Sequence, residues 1–290
     1  MPAWPRLSNA LIAVFLSIVA LLMVLPFLNV IAVSFSSSRA IVSNEVVLWP
    51  VEFNTRTYYN LYRDGNLIRS LRNTVILTVG GTVLNMVATT LISFPLSRPN
   101  FRGRKLFLSL IIFTMLFSGG IIPTYVLVQQ LGLLNTFWSV WLTTLVSTWN
   151  LFIMKTFFGT IPASLTEAAA IDGANDLFIL VRIILPLSMP VIATLTLFYA
   201  VGHWNSYFNV MLYITRSQLH TVMVLLVQMI RSVDPQLLET APDSTEITRY
   251  MTPEGVQAAA IVVATVPIML VYPFLQKYFV KGVMIGSLKQ

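Results

Sequence analysis

The chain has 290 residues, of which 56% are hydrophobic and 10% charged, and its formal net charge is +7. Ordinary soluble domains carry about 25% charged residues, so this composition excludes such a domain and indicates a membrane protein. No cysteine is present, which excludes disulfides and thiolate chemistry from the function.

Residues 7–38, 73–97, 106–154, 183–215 and 255–276 contain no Asp, Glu, Lys or Arg. Each run reaches the roughly 20 residues that a spanning helix needs, and the third is long enough for two. The expected spans, in chain order, begin with residues 10–33. A cleaved signal peptide is disfavoured there, because the apolar run is too long and its lead-in carries only Arg6. Residues 34–72 form a first polar insertion with five arginines. The second span covers residues 73–96, and the loop "SRPNFRGRK" after it holds Arg98, Arg102, Arg104 and Lys105. The third span, 106–128, contains "SGGIIPTY", where Gly119, Gly120 and Pro123 predict a bend that serves either as a hinge or for close packing.

"QQLGLLNT" (129–136) is polar and Gly-punctuated, so the longest run is divided there. The fourth span is 137–157, with Trp149 and Asn150 inside it as structural or pathway residues. A polar connection, 159–186, follows. The fifth span is 187–214, and "VGHWNSYFN" is its most polar part. A second insertion, 216–254, contains an apolar stretch of only ten residues (221–230), which suits an interfacial helix rather than a span. His220 reads as a surface histidine. The sixth span is 256–279. The expected fold is an all-α polytopic membrane protein: one transmembrane domain of six helices over residues 1–290.

An even number of spans puts both termini on one side. Lys and Arg concentrate in cytoplasmic loops, so the 97–105 loop is read as cytoplasmic, together with both termini. That side then carries ten basic residues (Arg6, Arg98, Arg102, Arg104, Lys105, Lys155, Arg182, Lys277, Lys281, Lys289) against Glu167, Asp172 and Asp176. The opposite side balances eight basic residues with eight acids. The arginines of 34–72 argue the other way, but basic residues in short loops set orientation most strongly. The excess positive charge would face anionic membrane lipid and acidic partners.

Within the 159–186 connection, Ser164 stands three residues before Glu167, the capping-box spacing. An alanine-rich run follows, and Gly173 can end the helix in a left-handed conformation. A helix of about eight residues is not stable alone in water, so it must pack on its own bundle or on a partner. Two readings stand: a plain connector that uses Glu167 as its own cap, or a small helix shaped to fill a groove in another protein. "DLFILVRII" then lies along the membrane face, and Pro186 and Pro190 bend the chain into the fifth span.

The pattern Glu-Ala-Ala, three residues, Gly, nine residues, Ile, one residue, Leu-Pro resembles the EAA motif of binding-protein-dependent ABC importer permeases. Glu167, Ala168, Ala169, Gly173, Ile183, Leu185 and Pro186 occupy every fixed position. "ILPLSMPVIATL", "NTVILTV", "SGGIIPTY", "FYAVGHWNSYFN" and "YPFLQKYFVKGVMIG" are similar to the carbohydrate-uptake branch, and within it to the MalG-like permeases for aldouronate and alginate oligosaccharides. The resemblance implies a type I importer permease of a bacterial cytoplasmic (inner) membrane. Its partners would be a second, MalF-like permease, an ABC ATPase dimer and an extracytoplasmic solute-binding protein, with sugar as cargo. Glu167 to Gly173, with Asp172, would dock on the ATPase. The tail 281–290, with Lys289 and Gln290, would reach between the ATPase subunits, and the 216–254 loop matches in position one that probes the binding protein. ATP and Mg would be bound by the partner ATPase, with no cofactor or metal in this chain.

His203, Trp204, Asn205, Tyr207 and Asn209 are candidates for the translocation path. Polar groups at membrane depth face a bundle interior or a cavity, and aromatics beside amides suit sugars. The other reading is hydrogen bonding between helices and an interfacial aromatic belt. Asn205 and Asn209, four apart, would share a helix face. An ion-coupled secondary transporter is the rival function, but no Asp, Glu, Lys or Arg falls well inside a span. No H-E-x-x-H, G-x-S-x-G or G-x-x-x-x-G-K-[ST] occurs, so the chain is read neither as an enzyme nor as the ATPase itself.

Overall fold

In a computed structural model, residues 4–63, 65–231 and 252–287 are described. Every regular element among them is helical. Inside hydrocarbon a helix meets its backbone hydrogen-bonding needs within its own segment, and the sequence supplies apolar runs long enough for it. Among the described residues three single helices satisfy the length and hydropathy of a span: α1 (Trp4–Ser34) over Asn9–Ser34, α4 (Asn66–Ser97), and α15 (Pro253–Ser287) over Pro253–Leu270. Three further apolar stretches are bent pairs, which brings the number of candidate spans to as many as six.

The first bent pair is α5 (Arg104–Leu116) with α6 (Ile121–Gln130), turned by 112°. The bend at "SGGIIPTY" is as expected, and its cause is conformational. Gly120 has φ +90°, a value reserved for glycine, while a side chain at Gly119 would meet nothing within 4 Å. The second pair is α7 (Phe137–Thr143) with α8 (Thr148–Phe158), turned by 55°. The single helix expected over 137–157 is thus broken, because Ser147 caps α8 by accepting from the Asn150 amide at 3.4 Å.

The third pair joins α10 (Asp176–Ile179), a π-helical turn at Leu180–Ile184 and α11 (Leu185–Leu187) to α12 (Met189–Trp204), at 86°. Beyond α12 the helix lapses over residues 205–207 and resumes as α13 (Phe208–Tyr213). The expected 187–214 helix is therefore interrupted. The last helix, by contrast, runs past the expected end at 279, because Lys277 and Lys281 end an apolar run without ending a helix.

Packing divides the chain into two units, one built from residues 1–68 and 225–267 and the other from 69–224 and 268–290. In the first, α1 leaves its side chains uncovered along the whole apolar window. The segment after it is organised around short helices α2 (Ser38–Val42) and α3 (Arg56–Arg63). Phe35 stacks between Phe53 and Tyr58, at centroid distances of 5.4 and 4.8 Å. Tyr58 donates to Ser34 Oγ at 2.8 Å, and Arg39 pairs with Glu52 at 3.0 Å. The apolar stretch after His220 forms a ten-residue helix, α14 (Val222–Arg231), as its length predicts.

In the second unit α4 is the central rod. Its buried face carries a polar series, Asn73, Thr74, Thr78, Thr82, Asn85, Thr89 and Ser93, beside the apolar Leu77, Phe94 and Leu96, whereas Val75, Ile76, Val79, Val83, Val87 and Leu91 are exposed. An apolar outer face of this kind, unlike the polar outer face of a soluble helix, suits a surrounding of lipid. Trp141 and His203 approach the rod at a pair of glycines. A Cβ on Gly80 would lie 2.7 Å from the Trp141 ring, and one on Gly81 would clash with His203 Nε2. Gly81→Ala should therefore destabilise the detergent-solubilised protein by about 1–3 kcal/mol, the usual cost of overpacking. Gly202→Ala, where nothing lies within 4 Å, is the control. Equal thermal midpoints for the two variants would remove the close approach from the account.

Candidate functional site: the coupling segment and the buried polar seam

The alanine-rich connection forms α9 (Ala163–Ile171). Its start differs from the capping box expected at Ser164 and Glu167. Pro162 occupies the N-cap position, no side chain caps the first turn, and Thr166 Oγ1 donates back to the Ala163 carbonyl at 2.9 Å. Proline preorganises the helix entry through its fixed φ, so Ser164 lies inside the helix and Glu167 is exposed rather than serving as a cap.

Its end matches expectation closely. Gly173 has φ +85°; its amide donates to the Ala170 carbonyl at 3.1 Å, and the Ala174 amide donates to the Ala169 carbonyl at 2.9 Å. These two bonds form a Schellman motif, in which the left-handed glycine lets the last carbonyls find donors. Asn175 then caps α10 by accepting from the Phe178 amide at 2.8 Å.

The segment is anchored by one side only. Ala169, Ala174, Ile183 and Leu185 pack against a buried cluster of Phe94, Met154, Phe158, Ile179, Leu180, Ile184, Val191 and Leu195. Glu167, Ala168, Ala170 and Asp172 remain exposed, as do Ile171 at 87%, Leu177 and Phe178. Small residues face inward so that a short helix can lie close to the bundle, and an acidic and apolar face is left open.

Pro186 has no amide hydrogen, and its ring crowds the carbonyl four residues back. The chain answers with the π-helical turn just before it, in which the Leu185 amide donates to the Leu180 carbonyl. The sharp turn itself comes at Ser188, whose amide bonds both Ile184 and Leu185 carbonyls at 3.0 Å. Pro190 sits in the first turn of α12, where a proline costs nothing. The expected bend is thus present, centred on Ser188 between the two prolines.

Of the pathway candidates, His203 is buried at 5% exposure and its Nε2 lies 3.0 Å from Asn85 Oδ1. Asn85 Nδ2 donates to the Thr144 carbonyl at 2.7 Å. The amide oxygen therefore faces the ring, and Nε2 carries the hydrogen and donates. Thr144 lies in the break between α7 and α8, where backbone groups lose their helical partners. The Ser147 amide in the same break donates to Tyr199 OH at 3.2 Å, and that hydroxyl lies 2.7 Å from Thr89 Oγ1. Ser93 Oγ reaches the Leu151 carbonyl at 3.2 Å. Asn85 on α4 and Tyr199 on α12 thus serve backbone in the break of the fourth span, and Ser93 adds a bond from α4 to α8.

The remaining candidates separate. Trp204 ends α12 half-buried, Asn205 is exposed in the non-helical break, Tyr207 is exposed at 41%, and Asn209 is half-buried in α13. The one-face relation expected for Asn205 and Asn209 does not hold, because the helix is interrupted between them. Of the fourth-span pair, Asn150 is buried and Trp149 exposed. Lys289, Gln290 and the 232–251 part of the second insertion lie outside the described residues.

The sequence reading missed Asn73, Asn85, Thr89, Asn135 and Tyr199. Asn73 Nδ2 donates to the Gln218 and His220 carbonyls at 2.8 and 3.0 Å, and Thr74 Oγ1 accepts from the Val222 amide at 3.0 Å. Asn135, at φ +61°, accepts through Oδ1 from the Thr215 and Arg216 amides at 2.8 and 3.0 Å. Polar residues recurring every three or four positions from Thr74 to Ser93 were the available signal.

Gly173→Ala places a Cβ at φ +85° and should cost about 1–2 kcal/mol. The expected outcome is faster amide exchange at residues 169–174, with the exchange of α4 unchanged. Wild-type protection at those amides would show that the left-handed stop does not hold the helix end.

A protein-family model described as "Binding-protein-dependent transport system inner membrane component" matches residues 74–285. The chain is 43% identical over 286 residues to the polygalacturonan/rhamnogalacturonan transport system permease protein YtcP of Bacillus subtilis (strain 168), covering 98% of this chain and 99% of that one. It is 41% identical over 276 residues to Protein LplC of the same organism, covering 95% and 92%. Among solved structures it matches a chain of a bacterial ABC transporter involved in the import of the acidic polysaccharide alginate. The TM-score is 0.87 and the identity 32%, over 96% of this chain and 99% of that one. With the EAA segment in place at every fixed position, the bent apolar helices around it, and these likenesses along nearly its whole length, the chain belongs to the binding-protein-dependent transport system inner membrane components.

Proposed function

We propose that the chain is one transmembrane permease domain of an ATP-driven importer of oligosaccharides, and that its cargo carries acidic sugars. The observation that carries the reading is the coupling segment. A helix too short to stand alone is clamped to the bundle through Ala169, Ala174, Ile183 and Leu185 and leaves Glu167, Ala168 and Ile171 facing outward. With the capping role of Glu167 removed, its carboxylate is free for an ATPase subunit. Rigid clamping on one face and exposure on the other let a push on α9 travel into the α12 side of the bend.

The acidic-sugar assignment is supported by the relative named for polygalacturonan and rhamnogalacturonan and by the solved transporter named for alginate. The chain would work with a second permease, two ATPase subunits that bind ATP and Mg, and an extracytoplasmic binding protein. Both termini and the basic loop would be cytoplasmic by the distribution of Lys and Arg. Asn205 and Tyr207 would line the sugar path together with Trp204 and Asn209. Non-helical backbone at membrane depth is tolerated where protein buries it or a wet cavity meets it, and residues 205–207 expose both side chains. His203, held by Asn85, would position that break from behind.

Two experiments test the reading. Glu167→Lys should reduce co-purification of the ATPase subunits and lower sugar uptake while the chain still inserts in the membrane; full ATPase recovery with wild-type uptake would sink the docking role. Asn205→Ala with Asn209→Ala should change the KM for uptake of labelled oligogalacturonate by about tenfold, as expected when a hydrogen bond to a substrate is left unmade. Unchanged uptake kinetics would return both asparagines to helix packing.

A further inference from the structure

At the end of α4 opposite its Asn73 clamp, the chain turns at Arg98, whose amide donates to the Pro95 carbonyl at 3.1 Å. The guanidinium carbon of Arg98 lies 4.6 Å over the centroid of the Phe94 ring. Phe94 is itself buried in the cluster that receives Ala169, Ala174, Ile183 and Leu185. From this platform Arg98 Nη2 reaches to 3.9 Å from Asp176 Oδ1. Asp176 is the first residue of α10, immediately after the Asn175 cap that follows the EAA helix.

Two features make this contact more than an incidental surface pair. Arg98 Nη2 is shielded from solvent and has no hydrogen-bond partner among the described residues. A shielded cationic donor left unpaired is unfavourable, and the carboxylate stands only about 1 Å beyond the 2.7–2.9 Å of a charge-assisted bond. Asp176 is highly exposed, with 84% of its side chain open, so it is free to make that small approach. The face of the buried Phe94 ring attracts the guanidinium and so favours this placement of Arg98 beside Asp176.

We infer that Arg98 is a positioning residue for the coupling segment: with Asp176 it forms a latch that ties the α4–α5 loop to the start of α10 and closes when the EAA helix is pressed toward the bundle. The rod that holds the 218–222 loop through Asn73 and Thr74 at one end thereby holds the coupling segment at the other. The inference rests on the ATPase-docking reading of α9.

The test uses the complete reconstituted complex and reads ATP turnover in Arg98→Gln, Asp176→Asn, the double variant, and the charge exchange Arg98→Asp with Asp176→Arg. Each single variant should lower turnover by about two- to fivefold, the range open to a partly exposed ion pair. The double variant should be no slower than the slower single, and the exchange should recover most of the loss. Asp176→Asn alters an exposed side chain and keeps the test informative if Arg98→Gln assembles poorly. Effects that multiply in the double variant, wild-type turnover in Asp176→Asn, or no recovery on exchange would overturn the latch. Glu167→Lys in parallel separates the two readings. If it releases the ATPase subunits while the Arg98 and Asp176 effects multiply, only the latch falls. If it retains them at wild-type turnover, the docking reading falls and takes the latch with it.

Discussion

Backbone amides and carbonyls freed by a broken helix have no water to turn to inside a bilayer, and the rest of this structure is arranged around that requirement. The fourth apolar stretch is broken between Thr143 and Thr148, and side chains on neighbouring helices take up its open groups. Asn85 serves the Thr144 carbonyl, and Tyr199, itself beside Thr89, serves the Ser147 amide. Each interhelical bond of this kind contributes on average about 0.6 kcal/mol. The larger consequence is geometric. A hydrogen bond is limited in both distance and angle, so the seam restricts the register of α4 against α7, α8 and α12 more than apolar packing alone would.

The same seam makes α4 the frame of reference for both ends of its unit. At one end Asn73 and Thr74 hold residues 218–222. At the other, Phe94 belongs to the cluster on which the coupling segment rests. Gly80 and Gly81 lie between them and let Trp141 and His203 come within a Cβ radius of the rod. α4 is thus held at both ends and along its middle by contacts from distant parts of the chain.

The coupling segment shows how weak local preferences are assembled into a defined shape. Pro162, Gly173 and Asn175 mark one helix start, one stop and the next start within fourteen residues, so the backbone path is specified within the segment while packing on the bundle stabilises it. Pro186 and Pro190 then restrict where the turn into α12 can lie. The π-helical turn is the adjustment that lets the chain pass Pro186 without leaving the buried cluster.

By itself the sequence determined that the chain is a bundle of apolar helices, where the polar connections fall, and that the EAA segment is a short helix ended by a left-handed glycine. Those features follow from composition, run length and backbone restriction, all of which act locally. Tertiary structure decided where the apolar runs break and which polar residues face one another. "TLVSTWN" carries no proline or glycine; Ser147 caps α8 locally, and Asn85 and Tyr199, distant in the chain, supply partners for the opened backbone. His203 could be read from sequence as a pathway residue or as a packing residue; its burial, its approach to Gly81 and its bond to Asn85 could not be read there. Likewise Ser164 and Glu167 had the spacing of a capping box, but with Pro162 at the N-cap position the helix starts two residues earlier and leaves the carboxylate exposed. Spacing records what a side chain can do; its neighbours in space decide which of those things it does.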